Sequence, residues 1–473
     1  MRAGSKKYAK FLNEIKLRII SGELKEGDFI PSENKISQHY GLSRPTVRKA
    51  IAELAMEGLI QTIPGKGSVI LKTLHLELNV ILLNLFWYLP SNEFPVIQMI
   101  VERFNKEHRH IQIRLITFTH SITPSIYASY RNINLHEQTP DLISLTNRFL
   151  HELNSEQMES ILTPLTDLDM GTKEEVYRFL WKSNMKNEAL FAVPITFSPV
   201  MLVFNKEIFD RAGLDYPNNC WTWSDFLDAA SKLTERESES NAQYGFAFSP
   251  SFYRWPLFFL QEGGCFVQDD LAFPPLKEGN AGIQFILDLI YKHKVTPFLF
   301  RNSALSEQLF QRGKVGMIMS TYYFSESFMK NSFEWGICKF PGGTLDKSLA
   351  ISTNVGISRE CRHVDEARYF LEYLISEPIQ AFIKANSTTI PALQQIAEST
   401  EFPPDAFSAS SGSGYYSFMD TLHDVQVVND LGLTYKQVAD LSHALEMVWC
   451  RTDSFDQVWE HLNKIWIQPQ LRR

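Results

Sequence analysis

The run YGLSRPTVRKAIAELAMEGLI, Tyr40 to Ile60, decides how the N-terminal part of this 473-residue chain is read. Gly41 stops the helix before it. Ser43 can cap the next one, because its hydroxyl can accept from the backbone N–H groups that a first turn leaves unpaired. Pro45 falls inside that first turn, where a missing N–H costs little. Val47, Ala50, Ile51 and Leu54 recur at three- and four-residue spacing and give the helix a buried face, while Arg44, Thr46, Arg48 and Lys49 take the other. A helix whose outer face is basic at its N-terminal end suits the major groove of DNA, which admits a helix and presents base edges and phosphates to its first turns.

Working outward, Tyr8, Leu12, Ile15 and Ile19 predict an amphipathic helix over 6–21, ended by Gly22. Ser32 can cap a short helix that stops at Gly41, so a helix-turn-helix is expected over about 32–52. Beyond it, Leu59–Ile63 and Ser68–Leu71 read as strands on either side of Pro64-Gly65-Lys66-Gly67, a wing over about 59–71. Its glycines permit close backbone approach and Lys66 supplies charge. The expected DNA-binding residues are Ser43, Arg44, Thr46, Arg48, Lys49, Gly65, Lys66 and Gly67; Lys49, like Lys35, reads equally well as a solvated surface charge.

These elements, with ISGELKEGDFIPSE (Ile20–Glu33) ahead of them and the Gly65-Lys66-Gly67 turn behind, resemble the GntR family of bacterial regulators in order and spacing. The resemblance implies a winged helix-turn-helix over residues 1–73, with DNA contacts from Arg44 and Thr46, from Arg48 one turn on, and from the wing at Gly65 and Lys66. One departure is Asn34, where many members carry a basic residue; Lys35 follows it.

Charge divides the chain in the same place. Through Thr73 there are 13 Lys and Arg against 7 Asp and Glu; the remainder holds 33 against 47, within a whole-chain net charge of -8. A basic head on an acidic body suits a polyanion-binding module joined to something that does not bind polyanions. The five cysteines are scattered, without a close pair, which argues against a disulfide framework or a zinc site and fits a reducing compartment. A charged start without an apolar signal core, and no apolar stretch long enough for a bilayer, set the expectation of a cytoplasmic protein with no membrane partner.

A linker is expected at 74–79, followed by a ligand-sensing region over 80–473. There Val80–Phe86 reads as a buried strand, Val96–Asn105 as a helix and Ile111–Phe118 as an alternating strand. Pro140–Leu145 and Val200–Phe204 read as further strands, Trp223–Leu233 and Ala281–His293 as helices. The fold class is therefore multidomain: an α+β winged helix-turn-helix followed by a large α/β region, expected to have two lobes.

PDLISL (Pro140–Leu145), FAVPITFSPVMLVFNKEIFDRAGL (Phe191–Leu214), WTWSDF (Trp221–Phe226), FQRGKVGM (Phe310–Met317) and DEARYFLEYL (Asp365–Leu374) resemble the solute-binding proteins of sugar ABC transporters, of the maltose-binding type. That resemblance implies two lobes closing on a ligand, a mono- or oligosaccharide. Sugar sites combine aromatic walls with a few oriented polar groups. The residues expected at strand ends are Trp87 with Tyr88, Asn147, Arg148, Phe197, Ser198, Phe252, Tyr253, Tyr322, Tyr323 and Asn354. The alternative for each aromatic is the core, since a chain with 34 Phe, 17 Tyr and 9 Trp must bury most of them. Trp223 and Trp255 are assigned to the core.

The resulting expectation is a homodimeric transcription regulator bound to double-stranded operator DNA and controlled by a small-molecule effector. No enzymatic activity, cofactor or metal is expected. A pyridoxal-phosphate-dependent aminotransferase-like body is the first alternative, but no lysine stands in the small-residue, arginine-followed setting that its Schiff base needs. A sugar-binding protein with a non-functional head is the second; against it, the head keeps its basic recognition positions.

Overall fold

The computed structural model describes residues 8, 11, 12, 15, 16, 18, 19, 24–56, 58–64, 66–71, 80–89, 91–119, 139–166, 175–236, 242–268, 271, 272, 279–299, 305–400 and 414–467. The chain divides into two compact units, Met1–Leu82 with Phe104–Gln112, and Leu83–Arg103 with Ile113–Arg473. The linker expected at 74–79 lies outside the described residues.

In the N-terminal head, α1 (Glu33–Tyr40) and α2 (Arg44–Met56) are joined by Gly41, whose φ of 59° is the left-handed conformation that a residue without a Cβ adopts most easily. Ser32 stands at the start of α1, but its side chain makes no cap hydrogen bond; its carbonyl accepts from the Ile36 N–H at 3.0 Å instead. Ser43 does cap α2, accepting from the Thr46 N–H at 3.4 Å. Val47, Ala50, Ile51 and Leu54 are buried with Phe11, Leu12, Ile15 and Ile19 of the preceding helical segment, as their spacing requires. The wing strands β1 (Ile60–Ile63) and β2 (Gly67–Ile70) pair antiparallel, with Ile60 opposite Ile70 and Ile63 opposite Gly67. The stretch after Gly27 adds a third edge: Ile30 N–H donates to the Ser68 carbonyl at 3.0 Å, and Ile70 N–H to the Asp28 carbonyl at 2.9 Å.

The α/β region opens with β3 (Ile81–Leu89), α3 (Phe94–Glu107) and β4 (Ile111–Thr119). It continues with β5 (Leu142–Thr146), α4 (Asn147–Glu152) and β6 (Val193–Asn205). Then come α5 (Trp223–Lys232), β7 (Ala242–Ala247), β8 (Val315–Thr321), β9 (Trp335–Lys339) and β10 (Ser348–Ile357). The helices α6 (Tyr435–Trp449) and α7 (Phe455–Ile467) come last. Among the described residues one sheet runs β4, β3, β5, β10, β6, β8, β7 and then the short strand Glu235–Arg236, with β9 also paired to β6.

β6 explains the two lobes. All thirteen of its residues are buried. Its first half, Val193 to Pro199, pairs with β10; its second half, Val200 to Asn205, pairs with β8 and β9. One strand thus leaves the sheet of the first lobe (β3, β4, β5, β10) and enters that of the second (β7, β8, β9), crossing between them at Pro199. The second lobe has a phenylalanine-rich core: Phe226 meets Phe246 edge-on at 4.7 Å, and Phe258 and Phe340 join them. α6 and α7 are built into that same core through Leu441, Leu445, Val448 and Trp459.

The helix expected over 223–233 forms with a reciprocal cap, Thr222 N–H to Asp225 Oδ2 at 2.9 Å and Asp225 N–H to Thr222 Oγ1 at 3.3 Å. The helix expected over 281–293 runs as an α-helix from Asn280 to Leu287 and then widens into a π-type turn, Asp288–Lys292. Trp255 is fully buried; Trp223 stacks on Phe285 at 4.2 Å with its N–H on Gln261 Oε1 at 3.0 Å. No helix among the described residues is long and apolar enough to cross a membrane.

Candidate ligand cavity and nucleic-acid face

Arg44, Arg48, Lys49 and Lys66 are all exposed. Ser43 and Thr46 join their hydroxyls at 2.7 Å, fixing the first turn of α2. Arg44 and Lys66 make no ion pair among the described residues. Arg48 does: its Nε lies 2.9 Å from Glu33 Oε2 on α1, with the arginine side chain 70% exposed. Lys49 lies 5.8 Å from the ring centroid of Tyr8. Gly67 has a φ of 112°, reserved in practice for glycine, and Lys66 N–H closes the turn on the Ile63 carbonyl at 3.0 Å. Gly65 lies outside the described residues.

In the α/β region a cavity of about 320 Å³ opens where β5 and β7 end. Ligands in open α/β folds sit outside the carboxyl ends of strands, because the backbone there turns away and leaves a crevice. Arg148, in the first turn after β5, comes from the first lobe. Ser249, Ser251, Phe252 and Tyr253, just after β7, come from the second. The Arg148 guanidinium lies 5.8 Å from the Tyr253 ring centroid, so cation and aromatic face meet across the opening. Burial pushes the Tyr253 hydroxyl's pKa up against the opposing charge of Arg148, so the phenol stays neutral as donor and acceptor. Burial raises the pKa of Tyr88 against the charge of Arg148, but Tyr88 is half-buried inside β3 and does not line the cavity.

The third wall was missed in the sequence. One face of α6, carrying Tyr435, Val438, Ser442, Glu446 and Trp449, lines the cavity. Helical periodicity reveals that face but cannot distinguish a cavity wall from a core, and nothing in the chain's order joins residue 449 to residue 148. Phe298, beyond the π-type turn, was missed for the same reason.

Arg148, Phe252 and Tyr253 are therefore brought together, and the remaining candidates are not. Trp87 is inside β3, which runs three residues further than its apolar pattern suggested, and is buried. Phe197 and Ser198 were expected before a strand starting at Val200; they are inside β6, with Phe197 edge-on to Tyr177 at 5.0 Å and Ser198 accepting from the Tyr322 N–H at 2.7 Å. Asn147 is fully buried, donating to the Ala350 carbonyl at 3.3 Å and accepting from the Ser352 N–H at 3.2 Å. Asn354, inside β10, accepts from Asn184 Nδ2 at 2.9 Å and donates to the Leu145 carbonyl at 3.2 Å. Tyr322 is buried, its hydroxyl donating to the Gly414 or Tyr415 carbonyl at 2.9 and 2.8 Å. Tyr323 is taken up by a polar cluster with Thr196 of β6 and Thr353 of β10. For Trp87, Phe197, Ser198 and Asn354 the cause is strand length: runs buried on both faces show no alternation, so their ends are not marked.

Comparison with known proteins agrees with both parts. Residues 7–70 match the bacterial regulatory proteins of the gntR family, and residues 91–381 match the bacterial extracellular solute-binding proteins. The HTH-type transcriptional regulator TreR of Bacillus subtilis is 45% identical over 65 residues, 14% of this chain and 27% of that protein. The arabinose metabolism transcriptional repressor of Geobacillus stearothermophilus is 42% identical over 64 residues, 14% of this chain and 18% of that protein. The chain thus spans about a quarter or less of the length of these relatives. Among solved structures, the ABC substrate-binding protein Lmo0181 of Listeria monocytogenes, in complex with cycloalternan, aligns with a TM-score of 0.70 at 18% identity, over 82% of this chain and 99% of that one. Maltose-bound MalE3 of T. maritima aligns with a TM-score of 0.66 at 17% identity, over 81% and 98%. At such identities the likeness is one of fold. With the family match running through more than half of its residues, this chain belongs to the bacterial extracellular solute-binding proteins, and it carries at its N-terminus a winged helix-turn-helix of the gntR family.

Proposed function

We propose that this protein is a DNA-binding transcription regulator whose operator affinity is set by a saccharide bound between the lobes of its α/β region. The observation that carries the reading is the cavity itself, which joins a cation from one lobe to aromatic rings from the other. Its volume is at the lower end of the roughly 300–1,000 Å³ that small-molecule sites span, which suits a mono- or short oligosaccharide. The regulators sharing the head include ones named for arabinose and mannosyl-D-glycerate metabolism, and the solved neighbours include ones holding maltose and cycloalternan. The protein acts by binding rather than catalysis, in the cytoplasm, as a homodimer on a two-fold symmetric operator. Because ligand and DNA binding are linked, each changes the affinity of the other by the same factor.

Two measurements test this. A ligand that binds only the native state must raise its melting temperature, so a thermal-shift screen of mono- and oligosaccharides identifies the effector. Titrating that effector at fixed salt must then change operator affinity; unchanged affinity defeats the regulatory reading. Arg148→Met is expected to weaken effector binding by about 1.5–3 kcal/mol, roughly 10- to 150-fold, the range for a hydrogen bond to a charged group. Calorimetry checks this, and an unaltered Kd would exclude Arg148 from the site.

A further inference from the structure

Where β6 crosses between the lobes, their interface is closed by a buried polar cluster that the cavity does not use. Glu93, immediately before α3, is only 3% exposed although it is a carboxylic acid. One carboxyl oxygen meets the Thr196 hydroxyl of β6; the other meets the Thr353 hydroxyl of β10 at 2.6 Å. Tyr323 reaches this pair from the turn that follows β8. Its hydroxyl lies 3.3 Å from each threonine hydroxyl and 3.3 Å from the Thr196 carbonyl. Asn92 Nδ2 donates to the Tyr323 carbonyl. A carboxyl of the first lobe is thus sealed from water by a side chain arriving from the second.

The hydrogens can be counted. When Glu93 is ionised, both threonines donate to it, and the single hydrogen of Tyr323 is the one donor left for the remaining acceptors. When Glu93 is protonated it donates to one threonine, which can then turn its own hydrogen to the tyrosine oxygen. The neutral cluster is better satisfied, and it avoids a charge removed from water without a cation. Among the described residues no Lys, Arg or His pairs with Glu93. The groups facing it are Thr196 from β6, Thr353 from β10 and Tyr323 from the turn after β8. Only Tyr323 can titrate, and burial, together with the neighbouring carboxyl, keeps its hydroxyl neutral.

We propose that Glu93 and Tyr323 form a proton-dependent latch between the lobes: the closed cleft holds Glu93 protonated, and loss of that proton releases Tyr323 and favours opening. This rests on the two-lobed sensing role above, but not on the ligand's identity. Burial pushes the Glu93 pKa from 4.5 up to about 7, against the two threonine hydrogen bonds that lower it. A carboxyl that opening returns to water reverts toward its ordinary value. Closure is then strongest below the open-state value, where both forms are protonated. It weakens up to tenfold per pH unit as the pH rises to about 7, and is level above that. Between pH 5.5 and 7.5 the closed-to-open ratio should fall roughly 20-fold.

Hydrogen–deuterium exchange of the full chain, without ligand or DNA and corrected for intrinsic rates, reads this out in peptides covering 91–97 and 320–328. The wild type should lose protection there between pH 5.5 and 7.5, while peptides from the second-lobe core stay constant. Glu93→Gln, which keeps the shape and the threonine contacts, should hold the low-pH protection throughout. Thr353→Val, which removes one donor to the carboxylate, should move the midpoint upward. A flat wild-type profile, an unaltered profile in Glu93→Gln, or an equal loss of protection in all peptides would each overturn the latch. Failure to find a saccharide effector would leave this measurement unaffected, so the two proposals fail separately.

Discussion

Replacing Gly245 with alanine should lower the stability of the second lobe by at least about 3 kcal/mol, above the usual overpacking cost of about 1–3 kcal/mol. Gly245 lies in the middle of β7, under α5. A Cβ built on it would stand 1.9 Å from the carbonyl oxygen of Ala230 and 2.5 Å from its carbonyl carbon. These are backbone atoms of the helix, so no rotamer change relieves the clash; strand and helix must separate. The strand cannot yield easily, because Tyr244 and Phe246 are in register with Val315 and Met317 of β8, and Phe246 is packed edge-on against Phe226. Urea unfolding followed by tryptophan fluorescence measures the loss. Gly342→Ala is the control: its added Cβ would meet nothing nearer than 3.9 Å, and its stability should stay within about 0.5 kcal/mol of wild type. Equal unfolding midpoints for the two variants would show that the strand-to-helix approach is looser than described.

The second large effect is expected in the head. Arg44→Ala should reduce affinity for a duplex selected from a random pool by about 1–3 kcal/mol, roughly 5- to 150-fold, and relax base preference at one position. Arg44 is exposed at the first position of α2 and forms no ion pair among the described residues, so its guanidinium is available to a base edge. Arg48→Ala should cost less, because Arg48 must first give up its 2.9 Å contact with Glu33. Lys66→Ala should weaken binding evenly across sequences and reduce the salt slope by about one, as for a phosphate contact. Fluorescence anisotropy at fixed salt orders the three variants. A greater loss from Arg48→Ala than from Arg44→Ala would contradict the assignment of Arg44 as the base-reading contact.

In the described part of the head, the two helices and the wing strands were legible in the sequence. The spacing of Val47, Ala50, Ile51 and Leu54 named the buried face of α2, and Ser43 and Gly41 marked its start and the end of α1, because caps and helical periodicity are local and leave their pattern in consecutive residues. What the sequence reading did not contain was the third edge of the wing at Asp28 to Ile30, since its partner strand lies some forty residues away.

In the α/β region the opening strand, helix and strand and the helices after Trp223 and Ala281 could be read, and so could the core position of Trp255, and Arg148 and Tyr253 as strand-end residues. The sequence by itself determined these because each depends on neighbours a few positions apart. Only the tertiary structure decided that β6 runs thirteen residues through both lobes, which turned Phe197 and Ser198 from loop ends into interior residues. It alone carried α6 across to Arg148 and set Glu93 beneath Tyr323. Such pairings join residues 30 to 300 positions apart, and their partners are chosen by burial in a shared core, a non-directional force that leaves no spacing rule along the chain.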